Sequence, residues 1–168
     1  LVMAQGGPGG STIDTYASML LGANGLHLAR DIVLFDQRGT LYSQPVLYCN
    51  EMDKVTIDTL DENLSVDETE RLYRGAISQC HDRLTSKGIN LSAFDSLENA
   101  ADIESLRQAL GYEQINLYGV SYGTLLALHT MRMFPSSLRS VILDGVLPPQ
   151  TNFIVNVAQT ENHSFSRL

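Results

Sequence analysis

Ser121 stands in the middle of Gly119-Val120-Ser121-Tyr122-Gly123, a G-x-S-x-G spacing in which a serine hydroxyl can serve as a nucleophile. Glycines two before and two after keep side chains away from a backbone that must turn sharply. The bare motif also occurs by chance in loops, because glycine and serine are common turn residues. Its flanks separate the two readings. Ile115-Asn116-Leu117-Tyr118 leads in as a β-favouring run, and Leu125, Leu126, Leu128, His129, Arg132 and Met133 follow at helical spacing. Strand, turn and helix in that order predict a nucleophile elbow with Ser121 at its strained tip.

A second group lies at the start of the chain, where Gln5-Gly6-Gly7-Pro8-Gly9-Gly10-Ser11-Thr12 follows the apolar Leu1 to Ala4. Such a loop exposes backbone N–H groups to an anion, either a phosphate or the oxyanion of an acyl-transfer intermediate. A P-loop needs Lys before its Ser or Thr, and here Gly10 precedes Ser11, so the oxyanion reading fits better. Asp36 and Arg38 form a third group, at the end of Asp31-Ile32-Val33-Leu34-Phe35. Either could serve chemistry, but a strand-end carboxylate near a guanidinium is more often a structural pair that fixes a loop. His27 falls in a loop, His81 beside the apolar face of a helix as a surface residue, and His129 within the helix after Ser121 as a packing residue.

These groups need a scaffold of alternating strands and helices. The pattern predicts strands at Leu1–Ala4, Asp31–Phe35, Ile115–Tyr118 and Ser140–Leu143, the last closed by Asp144-Gly145. Helices are predicted over roughly Thr15–Leu21, closed by Gly22 and Asn24-Gly25, over Asp67–Lys87, and from an N-cap at Ser96 to a stop at Gly111. The second presents Tyr73, Ala76, Ile77, Cys80 and Leu84 on one face; the third buries Ala100, Ile103, Leu106 and Leu110. Residues 40–66 read as irregular, and the tail from Gln150 has no complete element. The result is a parallel sheet of about four strands with helices on both faces. Ligands of such sheets bind at the carboxyl ends of strands, where the glycine loop, Asp36-Arg38 and Ser121 should converge.

Composition is that of an ordinary globular domain, and no apolar run approaches a membrane span. The net charge of −8 argues against nucleic acid as a partner. Residues 51–70 carry eight acidic side chains and one Lys54, read as a solvated loop and helix start, with an acidic lip for a cationic substrate as the alternative. Cys49 and Cys80 are too few for a zinc site and too distant for a C-x-x-C pair. A bridge between them would close about 30 residues and contribute on the order of 3 kcal/mol. Two unpaired buried thiols remain the alternative.

Taken in order, Gln5-Gly6-Gly7-Pro8-Gly9-Gly10-Ser11, Asp36-Gln37-Arg38-Gly39-Thr40, Glu98-Asn99-Ala100-Ala101-Asp102, Tyr118-Gly119-Val120-Ser121-Tyr122-Gly123-Thr124 and Leu143-Asp144-Gly145-Val146-Leu147-Pro148-Pro149 resemble the first half of an α/β-hydrolase. More narrowly, the chain resembles the proline iminopeptidase and tripeptidyl aminopeptidase group. The resemblance implies that Ser121 forms an acyl-enzyme and that N–H groups near Gly7, with Gly6 beside it, and of Tyr122 make the oxyanion hole. It also implies a Cys49–Cys80 disulfide and a secreted or periplasmic protein, with a cytoplasmic one as the alternative. Gln5 stands where many iminopeptidases have His, and Leu41 where a second glycine is usual.

In this fold the triad acid and histidine follow the serine. After Ser121, Asp144 ends the next strand and His163 is the only histidine beyond it, and the acid of the group usually follows a later strand. The expectation is therefore a fragment: residues 1–147 as core with 40–95 inserted, 148–168 as the start of a lid, and little hydrolysis by these residues alone. A serine peptidase acting on peptide N-termini is the leading function. An esterase on small esters is the alternative, and a non-catalytic truncated protein a third reading. No cofactor, metal or membrane is implied.

Overall fold

The computed structural model describes residues 1–21 and 29–152 together with 155, 159, 160, 162, 163, 165 and 166. They divide into two compact units, one of Leu1–Gln37 with Ser96–Leu168 and one of Arg38–Asp95. His27 and the Gly22 and Asn24-Gly25 stop lie outside the described residues. No described helix is long and apolar enough to cross a membrane.

The first unit holds β1 (Val2–Ala4), α1 (Thr12–Leu21), β2 (Val33–Leu34), α4 (Ser96–Ala109), β3 (Ile115–Val120), α5 (Tyr122–Met133) and β4 (Leu138–Asp144). The second holds α2 (Asn50–Asp58) and α3 (Val66–Ser86). The strands form one parallel sheet in the order β2-β1-β3-β4. Ala4 lies opposite Gly119 and Val120 opposite Asp144, so the carboxyl ends of three strands come level. Beneath them Val2, Ile103, Ile115, Leu117, Leu126 and Ala127 pack as a single apolar core with the ring of Tyr122.

Several predicted elements need correction. Asp31–Phe35 supplies only the two-residue β2, half-buried, whose Val33 and Leu34 pair with the short β1 and, among the described residues, with no second strand. Ser96 is the first helical residue of α4 rather than its cap, and its hydroxyl meets that of Tyr122 at 2.8 Å. Leu110 and Ile77, assigned to buried stripes, are 47% and 53% exposed; each stripe is narrower than its apolar residues suggested.

The irregular segment 40–66 contains α2. This helix buries none of its residues fully, so it leaves little apolar periodicity to read. It is held from outside: Cys49 and Cys80 form a disulfide, and Arg83 grips Glu51 with two bonds, Nε to Oε1 at 2.5 Å and Nη2 to Oε2 at 2.9 Å. α3 opens on a capping box, in which Glu68 N–H donates to Ser65 Oγ and Ser65 N–H to Glu68 Oε2.

Candidate active site

Ser121 sits between β3 and α5 with φ 53° and ψ −119°, and no other non-glycine residue described has a positive φ. Such a backbone costs about 1–3 kcal/mol and persists only where its surroundings hold it. Here they do. The Ser121 N–H donates to the Asp144 carbonyl at 2.8 Å, and the Ser121 carbonyl accepts from Thr124 N–H at 2.9 Å and from the Thr124 hydroxyl at 2.6 Å.

The two motif glycines are required by contact. A Cβ on Gly119 would lie 2.4 Å from the Gly123 carbonyl oxygen, and one on Gly123 would lie 2.1 Å from that of Ala4. β1, β3 and α5 therefore meet with no room for a side chain. The glycine loop presses on the serine in the same way, since a Cβ on Gly6 would stand 2.8 Å from Ser121 Cβ and 3.2 Å from its Oγ. Gly7 has φ 119°, and the loop closes on a bond from Gly10 N–H to the Gly6 carbonyl at 3.1 Å.

Neighbouring side chains consume some of the loop's donors. Gln5, which stands where His is common, folds its Oε1 onto the Gly6 N–H at 2.8 Å and its Nε2 onto Thr15 Oγ1 at 3.0 Å. Gln37, buried at 2% exposure, donates to the Gln5 carbonyl at 2.7 Å. Among the described residues, no hydrogen bond engages the N–H of Gly7 or of Tyr122. Tyr122 opens α5, so its N–H lies at the positive end of that helix.

Asp36 turns its carboxylate onto the first turn of α1. Its Oδ1 accepts from the Thr12 N–H at 2.8 Å, the Ser11 hydroxyl at 3.0 Å and the Ile13 N–H at 3.3 Å, an anion where a helix start favours one. Within the second unit Arg38 donates to the Ala93 carbonyl at 2.5 Å. Asp144 takes the Tyr118 hydroxyl on Oδ2 at 2.8 Å. That bond, aided by burial, pushes the Tyr118 phenol up to about 12. Burial, then the charge of Asp144, also raises Tyr16 on α1.

Histidines do not join this group among the described residues. His129 is half-buried two turns into α5, His163 is exposed in the tail, and His81 is exposed on α3 with Asp82 at 3.1 Å. The one cluster of metal-capable side chains described, Cys49, Glu51 and Cys80, has both sulfurs in the disulfide and its carboxylate on Arg83. Sequence reasoning missed Gln37 and Thr124, although both stand inside quoted motifs. A buried amide or hydroxyl that braces backbone leaves no periodic signal.

Comparison with known proteins agrees with this scaffold. The family described as the alpha/beta hydrolase fold matches residues 1–162. The chain is 30% identical over 161 residues to serine protease Hip1 of Mycobacterium tuberculosis, covering 90% of this chain and 30% of that protein. It is 30% identical over 162 residues to a tripeptidyl aminopeptidase of Streptomyces lividans, covering 92% of this chain and 29% of the relative. Carboxylesterase B of Mycobacterium tuberculosis is 34% identical over 157 residues, 89% of this chain and 30% of the relative. The chain belongs to the α/β-hydrolase fold family. It spans under a third of the length of these relatives.

Proposed function

We propose that this chain carries the nucleophile of a serine hydrolase that cleaves peptides from their N-terminal end through an acyl-enzyme on Ser121. The observation that carries the reading is the strained Ser121 pressed against Gly6, with the Gly7 and Tyr122 N–H groups unengaged beside it. In this reading Ser121 Oγ attacks the scissile carbonyl, a base takes its proton, and the carbonyl oxygen gains negative charge as the tetrahedral intermediate forms. Donors already aimed at that oxygen stabilise the charge without rearranging; losing one such donor costs about 100- to 1000-fold in rate. The attack requires that base, since a serine hydroxyl is a poor nucleophile without one. We assign Asp36 and Arg38 to bracing, Asp144 to support of the Ser121 backbone, residues 40–95 to an insertion, and 148–168 to the start of a lid.

The tripeptidyl aminopeptidase and the serine protease among the relatives support a peptide substrate. Carboxylesterase B favours ester hydrolysis as the second reading. The disulfide supports an oxidising compartment, secreted or periplasmic. The test is turnover by the protein at its full encoded length, with aminoacyl and tripeptidyl anilides set against short-chain esters. Anilide turnover that Ser121→Ala abolishes is the expected result. Ester turnover alone would establish the second reading, and turnover indifferent to Ser121→Ala would overturn both.

A further inference from the structure

We propose that Thr124 is a positioning residue that aims the Tyr122 N–H at the reacting oxygen, and that it ties this aim to the chain leaving β4. The inference rests on the reading of Tyr122 as an oxyanion donor and concerns how that donor is held.

The Ser121 carbonyl and the Tyr122 N–H belong to one peptide group. That group is planar and trans, so its C=O and N–H point in opposite directions, and whatever fixes the carbonyl fixes the direction of the N–H. Thr124 fixes the carbonyl twice, through its backbone N–H at 2.9 Å and its hydroxyl at 2.6 Å. A threonine hydroxyl has a single proton and could turn elsewhere. Here it cannot do so freely, because the Leu147 N–H donates to Thr124 Oγ1 at 2.7 Å and occupies the acceptor side, leaving the proton for the Ser121 carbonyl. The Thr124 side chain is fully buried and each of the two bonds is part-buried. The preceding peptide plane is pinned by the same strand end, through the Ser121 N–H on the Asp144 carbonyl. Both planes flanking Ser121 thus take their orientation from residues 144–147, the segment where β4 ends and the chain moves on.

A hydroxyl that only braced the Leu147 N–H would cost stability when replaced by a methyl and leave the chemical step unchanged. Loss of one that aims a donor would slow that step. The experiment compares Thr124→Val and Thr124→Ser in the full encoded protein, reading kcat and KM separately, the rate of labelling by a fluorophosphonate, and the urea unfolding midpoint. Thr124→Val is expected to lower kcat and the labelling rate together by about 10- to 100-fold, short of the loss of a whole donor, with KM within about two-fold. Thr124→Ser, which keeps the hydroxyl, recovers most of that loss. Affinity for a peptide aldehyde, whose bound oxygen occupies the same donors, should fall in step with kcat.

Folded Thr124→Val that labels at the wild-type rate would overturn the proposal. So would a loss confined to KM, or a Thr124→Ser as impaired as Thr124→Val. Should the valine variant not fold, Thr124→Ala removes the same hydroxyl and is judged by the same thresholds. Wild-type protein that is not labelled at Ser121 would instead bring down the underlying reading, and this inference with it.

Discussion

At Gly123 a single added methyl would meet backbone that has nowhere to go. The Cβ position lies 2.1 Å from the Ala4 carbonyl oxygen and 2.8 Å from its carbon, so Gly123→Ala must push α5 away from β1. Overpacking against backbone costs about 1–3 kcal/mol, and the upper end applies here because no flexible side chain can yield. Gly75 on α3 is the contrast: nothing lies within 4 Å of its Cβ position, and the helix is regular there. Gly75→Ala should stabilise by about 0.5–1 kcal/mol by removing backbone freedom from the unfolded chain. Urea unfolding of both variants checks the pair, and a tolerated Gly123→Ala would mean that the close approach is not obligatory. The need for glycine at 119 and 123 was legible in the sequence because the spacing states it. The bracing by Thr124, Gln37 and Gln5 was not, since those bonds join residues through the fold rather than along a period.

At the scale of elements, the strand and helix around Ser121 and the glycines closing α3 and α4 could be read directly. Gly88 and Gly111 have φ 77° and 72°, a left-handed stop that glycine takes without strain. α2 escaped because it is held by covalent and ionic links rather than by an apolar stripe of its own. Those links have a pH signature. The guanidinium of Arg83 holds the Glu51 carboxyl down to about 2 from its ordinary 4.5, and Arg107 does the same for Glu104 on α4. A carboxyl whose pKa is lower when folded contributes stability that is present above its unfolded value and lost as pH falls through the folded one. Thermal stability should therefore fall as pH drops from 4.5 towards 2. Glu51→Gln should be less stable than wild type at neutral pH and lose less over that interval. Melting curves that stay parallel across the interval would contradict this coupling.

Across the molecule, four parallel strands bring three loops to one end of a sheet; two of them contribute backbone groups and the third a hydroxyl side chain. The glycine loop supplies an unengaged N–H, the end of β4 supplies the Asp144 carbonyl, and the turn after β3 supplies Ser121 itself. The fold class was legible because strand-helix alternation is a long-range pattern repeated along the chain. The origin of a base was not, because a histidine's role depends on where the fold brings it, and the four present here show no spacing tied to Ser121. In the proposed reaction Ser121 is the group that becomes acylated. The most direct measurement of this is mass spectrometry of the full encoded protein after reaction with a fluorophosphonate, with the adduct mapped by peptide sequencing. One adduct per chain is expected, on the peptide containing Gly119-Val120-Ser121-Tyr122-Gly123, absent in Ser121→Ala. An adduct on any other residue, or labelling that survives Ser121→Ala, would contradict acylation at Ser121.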